Sequence, residues 1–375
     1  MTPPHPALPH PALHASHGGI WLATADETRQ LGRGEAIRIV ADTPVLLLNA
    51  PLIGQRLGYA DLSGLDLLEL YAFLHPARFA VPTPRGLARA VDLSPPERDE
   101  DVAAFLREAA AALLAVPAGD WPEREGAWSA AQSLARLRWP WAQVIGPLIP
   151  KPTVDERWLF SKLPEWEEHA PRPAPRTVTI EPGDAERRLV DLTGVGAEQR
   201  LGQRAYAAAA AAAFGPRAMR DSPNLVLAEA GTGIGKTLGY LAPASLWAER
   251  AGGAVWISTF TKALQRQLNR ETARLYPDDA TRKQRVVTRK GRENYLCLLN
   301  LEDALQGGFQ GRAAILAHLV AHWAAFSADG DMIGGDLPGW LPTLFRRNGP
   351  AALTDRRGEC VYAGCPHYRK CFIER

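Results

Sequence analysis

The sequence feature that most constrains the fold is a short glycine-rich segment between an apolar run and a helix pattern. Residues 224–228 have the composition of a buried strand, residues 229–237 read Glu-Ala-Gly-Thr-Gly-Ile-Gly-Lys-Thr, and residues 236–250 are typical of a helix. A strand, a glycine-rich loop and a helix in this order form a phosphate-binding loop of the Walker A type. The segment therefore predicts an α/β fold with a nucleotide phosphate site.

The positions of this loop have separate predicted roles. The glycines allow the backbone to curve around phosphate, so that N–H groups and the helix N-terminus face the ligand. Lys236 is expected to neutralise phosphate charge and Thr237 to bind Mg²⁺, which makes these two the predicted catalytic residues. The predicted nucleotide-binding residues of the loop are Ala230, Gly231, Thr232, Gly233, Ile234, Gly235, Lys236 and Thr237. The alternative is a glycine-rich turn that binds no ligand.

The surrounding pattern predicts how the chain is organised. Short apolar runs at 224–228, 254–258 and 285–288 alternate with helical segments, which indicates a parallel sheet covered by helices. A proline-dense stretch after residue 163 has no periodicity and is typical of a semi-rigid linker. The predicted organisation is a disordered tail (1–17), an N-terminal α/β domain (18–163), a linker (164–185), a nucleotide-binding domain (186–289) and a cysteine-bearing domain (290–375).

Composition limits the partners of the chain. The 43 Lys and Arg residues nearly balance the 41 Asp and Glu residues, so net charge alone does not attract nucleic acid or a membrane surface. The longest apolar runs are far shorter than the ~20 residues that span a bilayer. The N-terminus has no signal-peptide pattern, so we expect no membrane anchor and a cytoplasmic location. Positive charge is local: residues 282–292 contain six basic residues and no acidic one, which is typical of a nucleic-acid contact or of a solvated charged face.

The four cysteines indicate a metal site. Three of them lie in the last sixteen residues, and in a reducing compartment such a cluster favours metal binding over disulfides. The spacing lacks the two tight pairs of most structural zinc sites, and four thiolates can hold a [4Fe–4S] cluster. Zinc, with His367 as a competing ligand, stays open as an alternative. The predicted metal ligands are Cys297, Cys360, Cys365 and Cys371.

Three further segments resemble motifs of the XPD/DinG group of iron–sulfur superfamily 2 DNA helicases, and the resemblance covers about residues 197–375. Residues 197–204 (Ala-Glu-Gln-Arg-Leu-Gly-Gln-Arg) resemble the Q-motif, and residues 255–268 (Val-Trp-Ile-Ser-Thr-Phe-Thr-Lys-Ala-Leu-Gln-Arg-Gln-Leu) resemble motif Ia. Residues 290–297 (Lys-Gly-Arg-Glu-Asn-Tyr-Leu-Cys) resemble the approach to the first cluster cysteine. Ala230, which replaces the first glycine of the general loop pattern, is the form that superfamily 2 helicases use.

The resemblance implies a fold and an activity. The fold is an incomplete RecA-like P-loop parallel sheet with an inserted, mainly helical iron–sulfur domain. The activity is ATP-driven translocation on single-stranded DNA with 5′→3′ polarity and duplex unwinding. The implied cofactors are ATP, Mg²⁺ and a [4Fe–4S] cluster, the implied partners are single-stranded DNA or single-strand/duplex junctions, and we expect a monomer. Gln203 is implied to recognise adenine, and the implied DNA contacts are Thr259, Thr261, Gln265, Lys290 and Arg292.

Parts of the helicase pattern are missing from the sequence. No apolar run after Leu268 leads into the Asp-Glu-x-His that positions Mg²⁺ and the attacking water, and the motifs of a second RecA-like domain are absent. We therefore expect a helicase fragment that binds nucleotide weakly and does not hydrolyse it alone. The alternative is a non-catalytic iron–sulfur module that binds DNA or senses redox state. A P-loop kinase with a zinc ribbon is disfavoured by the motif Ia resemblance.

The N-terminal domain resembles the DEDD exonucleases that some DinG-type helicases carry. The resemblance lies in residues 45–51 and in residues 65–76, which contain an Asp-x-x-Glu pattern. Two-metal nuclease catalysis needs about four converging carboxylates. The first-strand Asp-x-Glu is absent from residues 19–24, Leu52 and Ile53 stand where an acid is expected, and Asp101 supplies one acid only. We therefore expect a degenerate exonuclease-like (RNase H-like) α/β domain that binds DNA or a partner.

Overall fold

The computed structural model describes residues 8–375, apart from 155, 157, 158, 169, 195, 199, 220, 346–349 and 357. The chain divides into two compact units. One consists of the described residues of Met1–Glu168 together with those of Lys290–Arg375, and the other of those of His169–Arg289. The cysteine-bearing segment therefore belongs with the N-terminal region, whereas the sequence predicted it as an insertion into the nucleotide-binding domain.

The N-terminal region is built on a mixed five-stranded sheet, which confirms the α/β class. Its strands are β1 (Ala12–Ala15), β2 (Ile20–Ala23), β3 (Thr28–Gln30), β4 (Leu46–Leu47) and β5 (Leu65–Asp66). The order is β3-β2-β1-β4-β5, with β1, β2 and β3 antiparallel and with β4 and β5 parallel to β1 and to each other.

The central strand β1 lies inside the predicted disordered tail. Strands β2 and β4 pair with its two edges, and all four of its residues are buried because the helices at 50–57 and 102–115 pack against it. The prediction of disorder over 1–17 is therefore wrong for residues 12–15, and residues 1–7 lie outside the described part. The proline-rich composition of residues 1–17 does not reveal this strand, because the strand depends on pairing with β2 and β4 further along the chain.

Helices flank this sheet. They are α1 (Arg33–Asp42), α2 (Ala50–Leu57), α3 (Leu67–Leu74), α4 (Pro84–Ala90), α5 (Val102–Ala115), α6 (Ala127–Arg136), α7 (Ala142–Ile145) and α8 (Leu159–Lys162). Their ends follow local chemistry. Asn49 caps α2 by accepting the N–H of Leu52 at 3.2 Å, and Asp66 caps α3 by accepting the N–H of Leu68 at 3.0 Å.

The second unit is helical in its described part. It contains α9 (Pro182–Thr193), α10 (Leu201–Ala211), α11 (Lys236–Ala251), α12 (Lys262–Leu275) and α13 (Asp279–Arg285). Helices α9, α10 and α11 pack on one another around a small apolar core that includes Leu189, Ala207 and Leu241. Helix α9 begins within the stretch that the sequence predicted as linker.

The parallel sheet predicted for this unit is not formed by its described residues. Residues 224–228, 254–258 and 285–288 have no strand assignment, and the side chains of Leu227 and Trp256 are 90% and 86% exposed. An apolar run becomes a strand only where a neighbouring segment supplies ladder hydrogen bonds and cover for its side chains. The described residues of this unit supply neither for these three runs.

The cysteine-bearing segment contains α14 (Leu298–Asp303) and α15 (Arg312–Ala324), followed by turns and short 3₁₀ segments. Helix α15 packs against α3 and α6 of the N-terminal region. Among the described residues, no helix combines the length and the apolar character that crossing a bilayer requires.

Candidate functional site

The glycine-rich loop leads directly into the N-terminus of α11. Gly233 and Gly235 have φ angles of 80° and 86°, in the left-handed region that favours glycine, and Gly235 is the residue that precedes the helix. No side chain caps this helix end, so its first N–H groups are without a side-chain acceptor. The loop from Gly231 to Gly233 is exposed. This helix end is therefore chemically suited to an anionic ligand.

Lys236 lies folded over the loop. Its Nζ donates hydrogen bonds to the carbonyl oxygens of Ala230 at 2.8 Å and of Gly231 at 2.9 Å. The neighbouring Thr237 is half-buried, and its side chain hydrogen-bonds with that of Tyr240, whose pKa is raised by burial. The ammonium group and the hydroxyl group predicted to serve phosphate and Mg²⁺ thus lie at the loop and at the first turn of the helix.

Helix α10 supports the loop from beneath. The Gln203 side chain is buried, and its Nε2 donates to the carbonyl oxygen of Gly235 at 2.8 Å. Arg200, one turn earlier, donates from Nη1 to the carbonyl oxygen of Gly233 at 2.6 Å. Gln203 thus contacts the glycine-rich loop, a contact that its predicted role in adenine recognition did not include.

Sequence analysis did not single out Arg200 as a functional residue. The signal was present in the Arg-x-x-Gln spacing, because residues three apart on a helix lie on the same face. Arg200 and Gln203 hold the carbonyl groups of the two left-handed glycines, so they fix the loop conformation together.

The residues predicted to contact DNA fall into two groups. Thr259, Thr261 and Gln265 lie in the second unit, at and before the start of α12. Thr261 is exposed and caps this helix, because its Oγ1 accepts the N–H of Leu264 at 3.2 Å. Gln265 is half-buried and lies one turn beyond Thr261, on the same helix face.

Lys290 and Arg292 lie in the other unit and are used inside it. Lys290 forms an ion pair with the buried Asp331, and its Nζ donates to the carbonyl oxygen of Ile333 at 2.9 Å. Arg292 pairs with Glu374, and its guanidinium lies 4.7 Å from the centre of the Tyr362 ring. The basic run in the sequence is therefore divided between the two units, and these two members of it are engaged within the protein.

All four cysteines are partly buried and reduced. Burial raises the pKa of the Cys297 and Cys371 thiols, which favours the protonated form. The Cys360 Sγ accepts hydrogen bonds from Arg292 Nη1 and from the N–H of Tyr362, both at 3.4 Å. His367, the alternative zinc ligand, instead bonds Glu302 at 2.8 Å.

These side chains do not converge on a metal. Within the part of the chain that the structure describes, no three His, Cys, Asp or Glu side chains are placed to hold a metal ion. Cys297 and Cys365 are near enough to interact electrostatically, and Arg292 contacts Cys360. The predicted cluster ligand set is therefore not assembled in this structure.

The acidic residues of the N-terminal region have structural contacts. Asp66 is fully buried and accepts three backbone N–H groups, while burial and the neighbouring Glu69 raise its pKa to about 7. Glu69 accepts from Trp139 Nε1 at 2.8 Å and pairs with Arg312. Asp101 pairs with Arg98 at 3.1 Å on the surface. These carboxylates cap helices or bind cations of the protein itself.

Comparison with known proteins identifies relatives of part of this chain. No family model and no solved structure matches the chain. The chain is similar to the ATP-dependent DNA helicase YoaA of Escherichia coli, with 34% identity over 155 residues, which cover 40% of this chain and 22% of that protein. It is similar to the ATP-dependent helicase DinG of Mycobacterium tuberculosis, with 31% identity over 202 residues, which cover 50% of this chain and 29% of that protein.

A third relative is named for a different activity. The 3′-5′ exonuclease DinG of Bacillus subtilis is 34% identical over 154 residues, which cover 40% of this chain and 16% of that protein. The matches thus span less than a third of the length of each of these relatives. They confirm the resemblance that the motifs predicted.

Proposed function

We propose that this chain, which is similar over part of its length to DinG-type helicases, carries the nucleotide-binding part of an ATP-dependent DNA helicase. The observation that supports the proposal best is the glycine-rich loop, which has two left-handed glycines, an uncapped helix N-terminus and a lysine folded over it. The reaction class comes from the names of the relatives, one an ATP-dependent DNA helicase and the other an ATP-dependent helicase.

The loop residues have defined parts in nucleotide binding. The first N–H groups of α11 donate hydrogen bonds to the phosphate oxygens, and Lys236 exchanges its two carbonyl contacts for phosphate oxygens. Thr237 provides the hydroxyl for Mg²⁺, and Gln203 recognises adenine. Because Gln203 also bonds the Gly235 carbonyl, nucleotide binding is coupled to the position of α10.

DNA binds, in this proposal, at the start of α12. Thr259, Thr261 and Gln265 contact the strand backbone, and translocation runs 5′→3′ on single-stranded DNA or at junctions by a monomer. Lys290 and Arg292 take part only after exchanging their ion pairs with Asp331 and Glu374, so their contribution is smaller than the sequence suggests.

The finer architecture is part of the same proposal. Residues 186–289 form a partial RecA-like domain, and the N-terminal region is an exonuclease-like (RNase H-like) domain without nuclease chemistry. The sheet order β3-β2-β1-β4-β5, with three antiparallel strands and two strands parallel to β1, supports the second assignment.

We also propose that Cys297, Cys360, Cys365 and Cys371 bind a [4Fe–4S] cluster. Support comes from the four thiols and from the two N–H donors on Cys360, since such donors stabilise cluster sulfur. The four cysteines lie in the unit that does not contain the glycine-rich loop. Brown visible absorbance after anaerobic purification that Cys360→Ser abolishes would support this, and zinc in its place would refute it.

Nucleotide titration tests the main proposal. The chain should bind a Mg²⁺–ATP analogue, and Lys236→Ala should weaken the affinity at least about tenfold, because it removes a charge-assisted contact. Lys283→Ala, which removes an exposed lysine of the same unit, is the matched control and should leave affinity unchanged. Equal affinity of wild type and Lys236→Ala would refute the proposal. DNA binding without any nucleotide binding would favour the non-catalytic module.

Hydrolysis is a separate measurement. We expect none from this chain, because the sequence after Leu268 has no apolar run that ends in Asp-Glu-x-His. A robust DNA-stimulated ATPase rate would overturn that expectation without affecting the proposed nucleotide site.

A further inference from the structure

Helix α15 of the cysteine-bearing segment is mostly apolar, and ten of its thirteen residues are buried. The buried residues include Leu316, Val320 and Trp323, each at most 1% exposed. A helix that is apolar over most of its surface has to be covered by other elements. Part of the cover comes from α3 and α6 of the N-terminal region, whose side chains share one apolar core with α15.

An ion pair between a buried carboxylate and a half-exposed arginine joins the same two regions. Glu69 in the first turn of α3 is 1% exposed, and its partner is Arg312 at the first position of α15. Glu69 lies beside Asp66, a second buried carboxylate, so Arg312 brings positive charge to an acidic helix end. Removing one partner of a buried pair leaves a charge that water does not reach.

Polar side chains of each region also satisfy buried carbonyl groups of the other. His322 Nε2 bonds the carbonyl oxygen of Phe73 at 3.1 Å, and Trp340 Nε1 donates to that of Ala80 at 2.6 Å. Lys370 Nζ donates to the carbonyl oxygen of Phe160 at 2.6 Å. Trp166 Nε1 donates to that of Tyr368 at 2.9 Å. A buried carbonyl without a partner is costly, so each region completes hydrogen bonding in the other.

We infer that the N-terminal region is the structural support of the cysteine-bearing segment, and that this segment folds without a bound metal. Small cysteine-rich domains usually need their metal because they have little core of their own. Here the stabilisation comes instead from the shared core, the Glu69–Arg312 pair and the carbonyl contacts. The inference gives the N-terminal region a function that does not require nuclease or DNA chemistry, and it holds whether or not a cluster is loaded.

Hydrogen exchange on the full chain, followed by mass spectrometry, tests the metal dependence. Amide protection of α15 in chelator-treated wild type, and in a variant with all four cysteines changed to serine, should be as high as in untreated wild type. Loss of α15 protection in both samples, with α3 and α5 still protected, would overturn the inference, because the segment would then need a metal to fold.

Variants of the ion pair test the mutual support. Arg312→Gln should speed exchange at least about tenfold in α15 and in α3 together. The double variant Glu69→Gln/Arg312→Gln should exchange more slowly than Arg312→Gln, because it leaves no unpaired buried charge. Arg29→Gln, which breaks the exposed pair with Glu35, is the matched control and should change neither helix. Faster exchange in α15 alone would refute mutual support.

Discussion

Alanine substitutions at three glycines test the geometry of the glycine-rich loop. A Cβ at Gly235 would lie 2.2 Å from Gln203 Nε2 and 2.9 Å from its Cδ, and the φ angle there is 86°. Gly233 has a φ of 80° but no atom within 4 Å of an added Cβ. Gly231 has neither a positive φ nor a close neighbour. The three positions therefore separate backbone strain from steric conflict.

The expected costs differ by position. A Cβ in the left-handed region costs about 1–2 kcal/mol, which is the whole effect expected for Gly233→Ala. At Gly235 the added methyl group also displaces the buried Gln203 amide from the Gly235 carbonyl, which adds about 1–3 kcal/mol. Gly231→Ala should stay within about 0.5 kcal/mol of wild type in the absence of nucleotide.

Hydrogen exchange of α11 without nucleotide measures these costs, since about 1.4 kcal/mol of local opening free energy corresponds to a tenfold rate change. Exchange should be fastest in Gly235→Ala, slower in Gly233→Ala and slowest in Gly231→Ala. Gln203→Ala in the Gly235→Ala background should add less than it costs in wild type, because the conflict is already relieved. If Gly231→Ala had as large an effect as Gly235→Ala, the loop geometry described here would be refuted.

Three other perturbations have clear expected outcomes. Burial lowers the pKa of His322 to about 4, so the unfolded chain takes up this proton first and the contribution of His322 to the free energy of unfolding should fall by about 3 kcal/mol from pH 6.5 to pH 4. The raised pKa of Asp66 contributes with the opposite sign, so the test is the difference between wild type and His322→Gln, whose amide can still donate to the Phe73 carbonyl. In urea unfolding the variant should gain about 3 kcal/mol relative to wild type between these pH values, and parallel profiles would contradict the assignment. Thr261→Asp should keep the cap of α12 but weaken DNA binding in fluorescence anisotropy, whereas unchanged affinity would remove Thr261 from the DNA site. Lys290→Met should cost about 3–5 kcal/mol in urea unfolding, because it leaves Asp331 buried and unpaired, and a neutral effect would show that the pair is dispensable.

The amino-acid sequence predicts the features that depend on residues close together along the chain. The loop conformation follows from glycine spacing, and the start of α11 at Lys236 follows from the same segment. The family resemblance likewise rests on contiguous motifs. Each of these features is encoded within a few residues, so patterns along the chain suffice to find it.

Features that depend on distant partners escaped prediction. Strand β1 exists because β2 and β4 flank it, while the apolar runs at 224–228 and 254–258 have no such partner among the described residues. Charge counting treated Lys290 as available for DNA, although Asp331 pairs with it from further along the chain. The union of the cysteine-bearing segment with the N-terminal region depends on contacts such as Glu69–Arg312, which no local pattern reveals.

The central claim is that the glycine-rich loop and the first turn of α11 bind nucleotide phosphate. Hydrogen exchange of the full chain with and without a Mg²⁺–ATP analogue localises binding most directly. We expect the analogue to protect residues 229–240 in wild type, to leave α15 unchanged, and to give no protection in Lys236→Ala. Protection confined to other segments, or equal protection in Lys236→Ala, would contradict the account.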